Sequence, residues 1–150
     1  MSKYANRIEV LARGVCVVGE ELLYCRGRGS DVTYLPGGHV ELEESATAAL
    51  RREIDEELGV RALVGELLGV VEHTFVQKGR RHCEINLVFR FEAEQLDAGG
   101  APRSRERKIE FGWIPLSELP GSNLEPAPLR TLLARWLTSG HDSAKWGSSY

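Results

Sequence analysis

The sequence has no run approaching the ~18 apolar residues that a membrane-spanning helix requires. No membrane association is therefore expected. The first ten residues, MSKYANRIEV, lack an apolar h-region, so no secretory signal is expected there. A cytoplasmic location follows by default. Cysteine is scarce: Cys16, Cys25 and Cys83 form an odd set with no CxxC spacing. Each sits in an apolar, strand-like run, which points to buried reduced thiols. There is also no large excess of charge. With 19 Lys and Arg against 22 Asp and Glu, the formal net charge is −3. That argues against a protein whose affinity comes from neutralising many phosphates of a long nucleic acid. A small phosphate-bearing substrate held through a metal remains compatible. No internal repeat or low-complexity segment is present.

What is there suits one compact domain. The chain has 150 residues, 42% hydrophobic and 27% charged, ordinary values for a globular protein with a single core. Ile8 to Val18 reads as a buried strand and Glu21 to Arg28 as its partner, with Gly19-Glu20 near the turn. Val32 to Leu35 is a short strand ended by Pro36. Leu63 to Gln77 and His82 to Ala93 read as two long strands joined at Lys78-Gly79-Arg80-Arg81. Gln95 to Arg107 reads as a loop, Ile109 to Leu116 as a further strand, and Pro126 to Leu137 as an amphipathic helix. His141 to Tyr150 reads as a loosely ordered tail. Strands flanking two helices point to a mixed α/β domain over residues 1–140.

The most informative stretch is Gly37 to Val60, GGHVELEESATAALRREIDEELGV. Ser45 is a candidate N-cap and Gly59 a natural stop for the helix between them. Leu50, Ile54 and Leu58 form its buried stripe. Glu53 and Glu57 lie beside that stripe, and Arg51 and Asp55 fall on the outer side. Glu53, Glu56 and Glu57 share one face, since positions three and four apart are neighbours. Like charges at that spacing repel, and a hard divalent cation removes the repulsion. The helix therefore reads as a metal-binding platform.

The same stretch resembles the Nudix hydrolase family, whose pattern is GX5EX7REUXEEXGU with U aliphatic. Gly38, Glu44, Arg52, Glu53, Ile54, Glu56, Glu57, Gly59 and Val60 fill every specified position. The resemblance implies an α/β/α sandwich with a mixed central sheet. It implies hydrolysis of the diphosphate linkage in a nucleoside diphosphate derivative, with Mg²⁺ or Mn²⁺ on the helix. Carried over by position, Glu53, Glu56 and Glu57 are the expected metal ligands, joined by the carbonyl of Gly37. Arg52 is expected to orient a carboxylate, and Glu44 to support the loop or bind metal through water. Gly38 lets backbone approach the site. The base is expected to be Glu53, with Glu110 or Glu106 as the alternatives. Many relatives are dimers, so a homodimer is compatible with the resemblance.

Other residues carry two readings. Lys78, Arg80 and Arg81 are a soluble turn, or reach a substrate phosphate, with Arg81 the residue favoured for that contact. Arg103, Arg105, Arg107 and Lys108 are a solvated loop, or touch the diphosphate. Tyr34, Phe75, Phe111 and Trp113 pack the core or stack on a base, and Phe75 is the favoured substrate contact. His73 and His82 read as a structural pair. No tyrosine, proline or longer array downstream of the box selects one substrate subgroup. A nucleotide sugar or ADP-ribose type is preferred, and a nucleoside triphosphate is the alternative.

Overall fold

The computed structural model describes residues 7–138 and 145–149. The first apolar run breaks at Cys16 into β1 (Ile8–Val15) and β2 (Val17–Val18), followed by β3 (Glu21–Gly27). Then come β4 (Thr33–Tyr34), β5 (Gly37–His39) and α1 (Ala46–Leu58). The long strands are β6 (Leu63–Gln77) and β7 (Arg80–Glu92). The chain continues through β8 (Ile109–Pro115), a 3-10 turn (Leu116–Gly121), β9 (Leu124–Glu125), α2 (Leu129–Thr138) and β10 (Trp146–Ser148).

One mixed sheet has the order β10-β6-β7-β1-β5. Its β1–β7 and β10–β6 pairs are parallel, while β1–β5 and β6–β7 are antiparallel. A second sheet runs β2-β3-β4-β9, with β8 also paired to β3. Alternation along β1 decides which side each residue serves. Ala12 joins Leu50, Ile54, Phe89 and Phe91 in a core beneath α1. Val15 joins Val71, Val88, Leu133 and Trp136 in a second core beneath α2. Helices on two sides of the sheets make an α/β/α sandwich, as expected.

Three local details differ from the sequence reading. The β6–β7 connection is a two-residue turn, with Lys78 and Gly79 both at positive φ, 51° and 74°. That backbone twist matches the flanking strands, so Arg80 and Arg81 become strand residues. Gly37–His39 forms a strand that was not expected. It is short and has little hydrophobic signal, but it pairs Gly37 with Arg13 and Gly38 with Ala12. Finally, the supposed loose tail contains β10, which pairs Trp146 with Val70 and Ser148 with Glu72. A free edge of β6 supplies the hydrogen bonds that the tail's composition does not advertise. Residues 141–144 and 150 of that tail lie outside the described residues.

Cys16 and Cys25 are buried and unpaired, and burial pushes their thiols up to about 11 and about 12. Cys83 is free and half-buried. No helix among the described residues is long and apolar enough to cross a membrane.

The helix that carries the carboxylates starts and stops as its sequence dictates. Ser45 Oγ accepts from the Ala48 N–H at 3.1 Å, and Gly59 ends the helix at φ 67°. Replacing Ser45 with Ala is expected to lower unfolding free energy by about 1 kcal/mol, read by urea titration. No change would remove the cap from this account.

Candidate active site

Arg52 organises the acidic edge of α1. Its Nε donates to Glu44 Oε2 at 3.1 Å and its Nη2 to Glu44 Oε1 at 2.7 Å. That two-pronged contact suits a planar guanidinium and a carboxylate. Nη1 donates to Glu53 Oε1 at 2.9 Å and to Glu56 Oε2 at 3.5 Å, and Nη2 also reaches the His39 carbonyl at 3.1 Å. One side chain thus ties the loop before the helix to two helix carboxylates. Glu44 is held below the usual carboxylate range, first by Arg52 and then by the backbone at Glu41. Its Oε1 accepts from the Glu41 N–H at 2.9 Å, so it braces the loop.

The two glycines are steric requirements. Gly37 has φ 134°, and a Cβ there would strike the Ala12 carbonyl. At Gly38 a Cβ would collide with the Glu53 carboxylate. The Gly37 carbonyl accepts from Arg13 Nη1 at 3.3 Å. Gly38→Ala is expected to push Glu53 aside and reduce kcat by ~10-fold or more, since misplaced catalytic groups are penalised steeply. The melting temperature should move little by comparison. An unchanged kcat would show that Glu53 is not held there for the reaction.

Glu57 is the anomaly of the site. It is 8% exposed, and its Oε2 is buried with no hydrogen-bond partner. Burial, then the neighbouring Glu53 charge, push its carboxyl up to about 8. Arg13, and a backbone hydrogen bond at Gly37, oppose that shift. A buried carboxylate oxygen without a hydrogen-bond partner has the chemistry of a cation ligand. Glu56 is exposed, by contrast, and Glu53 is mostly covered. Among the described residues, no three acidic, His or Cys side chains are gathered into a ready ligand set. Arg52 draws Glu53 and Glu56 towards itself.

A cleft of about 770 Å³ opens between the sheets. Arg13, Tyr34, Phe75, Glu84, Asn86 and Glu125 help to line it. Phe75 is stacked between His73 and His82, at centroid distances of 5.0 and 4.9 Å. The two histidines therefore do not face each other. His73 meets Ser149 Oγ at 2.8 Å, and His82 meets Glu9 Oε2 at 3.0 Å. Phe75 lines the cleft, whereas Arg81 is exposed near the hairpin end and does not line it.

Arg13 and Asn86 were missed in the sequence. Arg13 donates to the Leu35 and Gly37 carbonyls and to Asn86 Oδ1, and its guanidinium lies 5.5 Å from the Tyr34 ring centre. It joins the cleft to the glycine loop. A lone arginine inside the apolar strand IEVLARGV was the available signal, because a cation drawn even half out of water requires partners. Asn86, 1% exposed within INLVFRF, carried the same kind of signal.

The three candidate bases separate. Glu110 is drawn away: its Oε1 accepts from Arg26 Nε at 2.6 Å, and Oε2 lies 3.9 Å from Arg28. Cross-strand pairing of Arg26 with Glu110 places them together. Glu53 and Glu106 are both close enough for their charges to act on Glu57.

A family model described as NUDIX domain matches residues 9–137. A protein of Mycobacterium tuberculosis named MutT4 is 36% identical over 96 residues, which make up 62% of this chain and 36% of that protein. A MutT-like protein of Streptomyces ambofaciens is 32% identical over 124 residues, 82% of this chain and 74% of its own. The chain thus spans only about a third of the mycobacterial relative's length. A solved structure of a UDP-X diphosphatase superposes with a TM-score of 0.63 at 23% identity, over 97% of this chain and 69% of that one. The match over residues 9–137, falling on the intact box and the sandwich described above, establishes that the chain belongs to the Nudix family.

Proposed function

We propose that this protein is a divalent-metal-dependent hydrolase of the diphosphate linkage in a nucleoside diphosphate derivative, releasing a nucleoside monophosphate. The observation that carries the reading is Glu57, buried with an unsatisfied Oε2 beside Glu53 inside an intact box. Glu53, Glu56 and Glu57 fit a Mg²⁺ or Mn²⁺ ion by donor chemistry, with the Gly37 carbonyl as a further oxygen. When bound, such an ion neutralises phosphoryl oxygens and makes water a stronger nucleophile.

The remaining work falls to the chain. Arg52 fixes the direction of Glu53. It occupies Oε1, which leaves Oε2 for the ion or, in the ion's place, for the proton of the attacking water. Glu106 is the second candidate for that proton. The attacking oxygen bonds to phosphorus, and the bridging P–O bond breaks, its electron pair leaving with the departing oxygen. Tyr34, Phe75 and His73 offer aromatic surface for a base. The cleft sets one cation, Arg13, against Glu84 and Glu125. That balance suits a nucleoside better than a polyanion.

The test is turnover of a broad panel of nucleoside diphosphate derivatives and nucleoside triphosphates with Mg²⁺ and Mn²⁺, with products identified. Release of a nucleoside monophosphate is expected. No turnover across the panel would point instead to a non-catalytic nucleotide-sensing module.

A further inference from the structure

A second cavity, of about 460 Å³, is lined by residues 101–107 together with Arg28, Glu110 and Phe111. Its charged lining is Arg28, Arg103, Arg105 and Arg107 against Glu106 and Glu110. Glu110 is already engaged by Arg26. Among the described residues, the side chains of Arg103, Arg105 and Arg107 meet no carboxylate and accept no other pairing. Gathering like charges in one concavity is unfavourable unless an anion joins them.

The arginines are held there by contacts that need no ligand. The Arg105 N–H donates to the Glu57 carbonyl at 2.7 Å, and the Arg105 guanidinium fills the space over Gly59 where a Cβ would collide. Ser104 Oγ accepts from the Glu106 N–H at 3.0 Å and donates to the Glu106 carbonyl at 2.9 Å. On the far side, Arg28 Nε donates to the Arg107 carbonyl at 2.7 Å, and the Arg28 N–H to the Lys108 carbonyl at 2.9 Å. The loop is thus pinned to the end of α1 and to the end of β3. The backbone that carries these arginines is therefore fixed, and guanidinium groups are well suited to phosphoryl oxygens. Glu106 in the cavity lining also acts by its charge on Glu57 of the platform, to whose carbonyl the loop is bonded through Arg105.

We propose that Arg28, Arg103, Arg105 and Arg107 form a second anion subsite, which receives a phosphoryl group of the substrate beyond the bond that is cleaved. This rests on the reading of the box as a diphosphate hydrolase site. In a nucleoside triphosphate cut between its α and β phosphorus atoms, the γ-phosphoryl group is in that position. Water adds to the α phosphorus, and pyrophosphate leaves with the bridging oxygen. In a nucleotide sugar, a neutral ring is there instead. The subsite therefore favours substrates with phosphate on the departing side.

Two measurements on the double variant Arg103→Gln/Arg107→Gln test this. The first is calorimetric titration of metal-free protein with inorganic pyrophosphate. The variant is expected to bind ~10-fold or more weakly than wild type, and Arg103→Lys/Arg107→Lys to regain part of the loss. Equal affinity in wild type and the Gln variant overturns the subsite. The second is the ratio of kcat/KM for a nucleoside triphosphate to kcat/KM for the matching nucleotide sugar. That ratio is expected to fall ~10-fold or more in the Gln variant. Weakened pyrophosphate binding with an unchanged ratio would show a site for free anion, and overturns its assignment to substrate. If neither compound is cleaved, the hydrolase reading fails, and the subsite is decided by the pyrophosphate titration alone.

Discussion

Glu57→Gln is expected to lower kcat by ~100-fold or more while the fold survives. Loss of a mere outer-shell partner reaches that size at a metal site, and Glu57 is proposed as a ligand. Gln keeps the volume of Glu and removes the charge, so the core around Ile54 and Leu58 has no cavity to collapse. The same substitution has a second signature in metal-free protein. The folded-state carboxyl is raised to about 8 by burial and by Glu53, from an ordinary value of 4.5. A raised group contributes stability that is complete below the unfolded value and is lost as pH climbs through the folded one. Wild-type stability without metal should therefore decline between about pH 4.5 and about pH 8, by up to ~1.4 kcal/mol per unit from this group. Glu57→Gln should flatten that decline. Urea unfolding at about pH 5 and about pH 9 reads it directly. A variant with the wild-type slope would mean that Glu57 is not the buried acid described here.

Arg52 is expected to give the second large effect. Its guanidinium holds both oxygens of Glu44, one oxygen each of Glu53 and Glu56, and the His39 carbonyl. Arg52→Ala releases the loop and the proposed ligands together, and kcat should fall by ~10- to 100-fold. The metal concentration needed for half-maximal rate should rise alongside. Arg52→Lys keeps the charge but cannot fork, so it should recover only part of the rate. If Lys restored everything, orientation by the fork would not matter. If Ala raised KM for substrate alone, Arg52 would be a substrate contact and not a brace.

The helix was legible because its signals agree at every level. Ser45 caps it, Gly59 ends it, and Leu50, Ile54 and Leu58 face inward. The sidedness of the acids followed from the wheel, with Glu57 buried and Arg51 and Asp55 outside. What the sequence hid was long-range. Arg13 lies 22 residues from its Leu35 partner and 73 from Asn86. No local pattern announces such a hub. Glu110 stood next to an aromatic strand and looked available, but the register of β3 against β8 places Arg26 opposite it. Register is decided by the whole sheet, so neither residue's neighbours reveal it. β10 and Ser149 were missed for a related reason, since pairing to an open edge depends on the edge.

The platform and the two cavities differ in chemistry. The larger cleft offers aromatic rings and balanced charge, α1 offers carboxylates, and the arginine loop offers uncompensated positive charge. Glu57 feels the charge of Arg13, which lines the cleft, and of Glu106, which lines the smaller cavity.

The most direct measurement is calorimetric titration of the metal-free protein with Mn²⁺ near neutral pH, in buffers of different ionisation enthalpy. Wild type should bind the ion and release protons, because a carboxyl raised to about 8 must give one up to become a ligand. In Glu57→Gln, binding should weaken by ~10-fold or more and the proton release from this site should vanish. Wild-type protein that binds no Mn²⁺, or a variant that binds it equally well, would contradict the account.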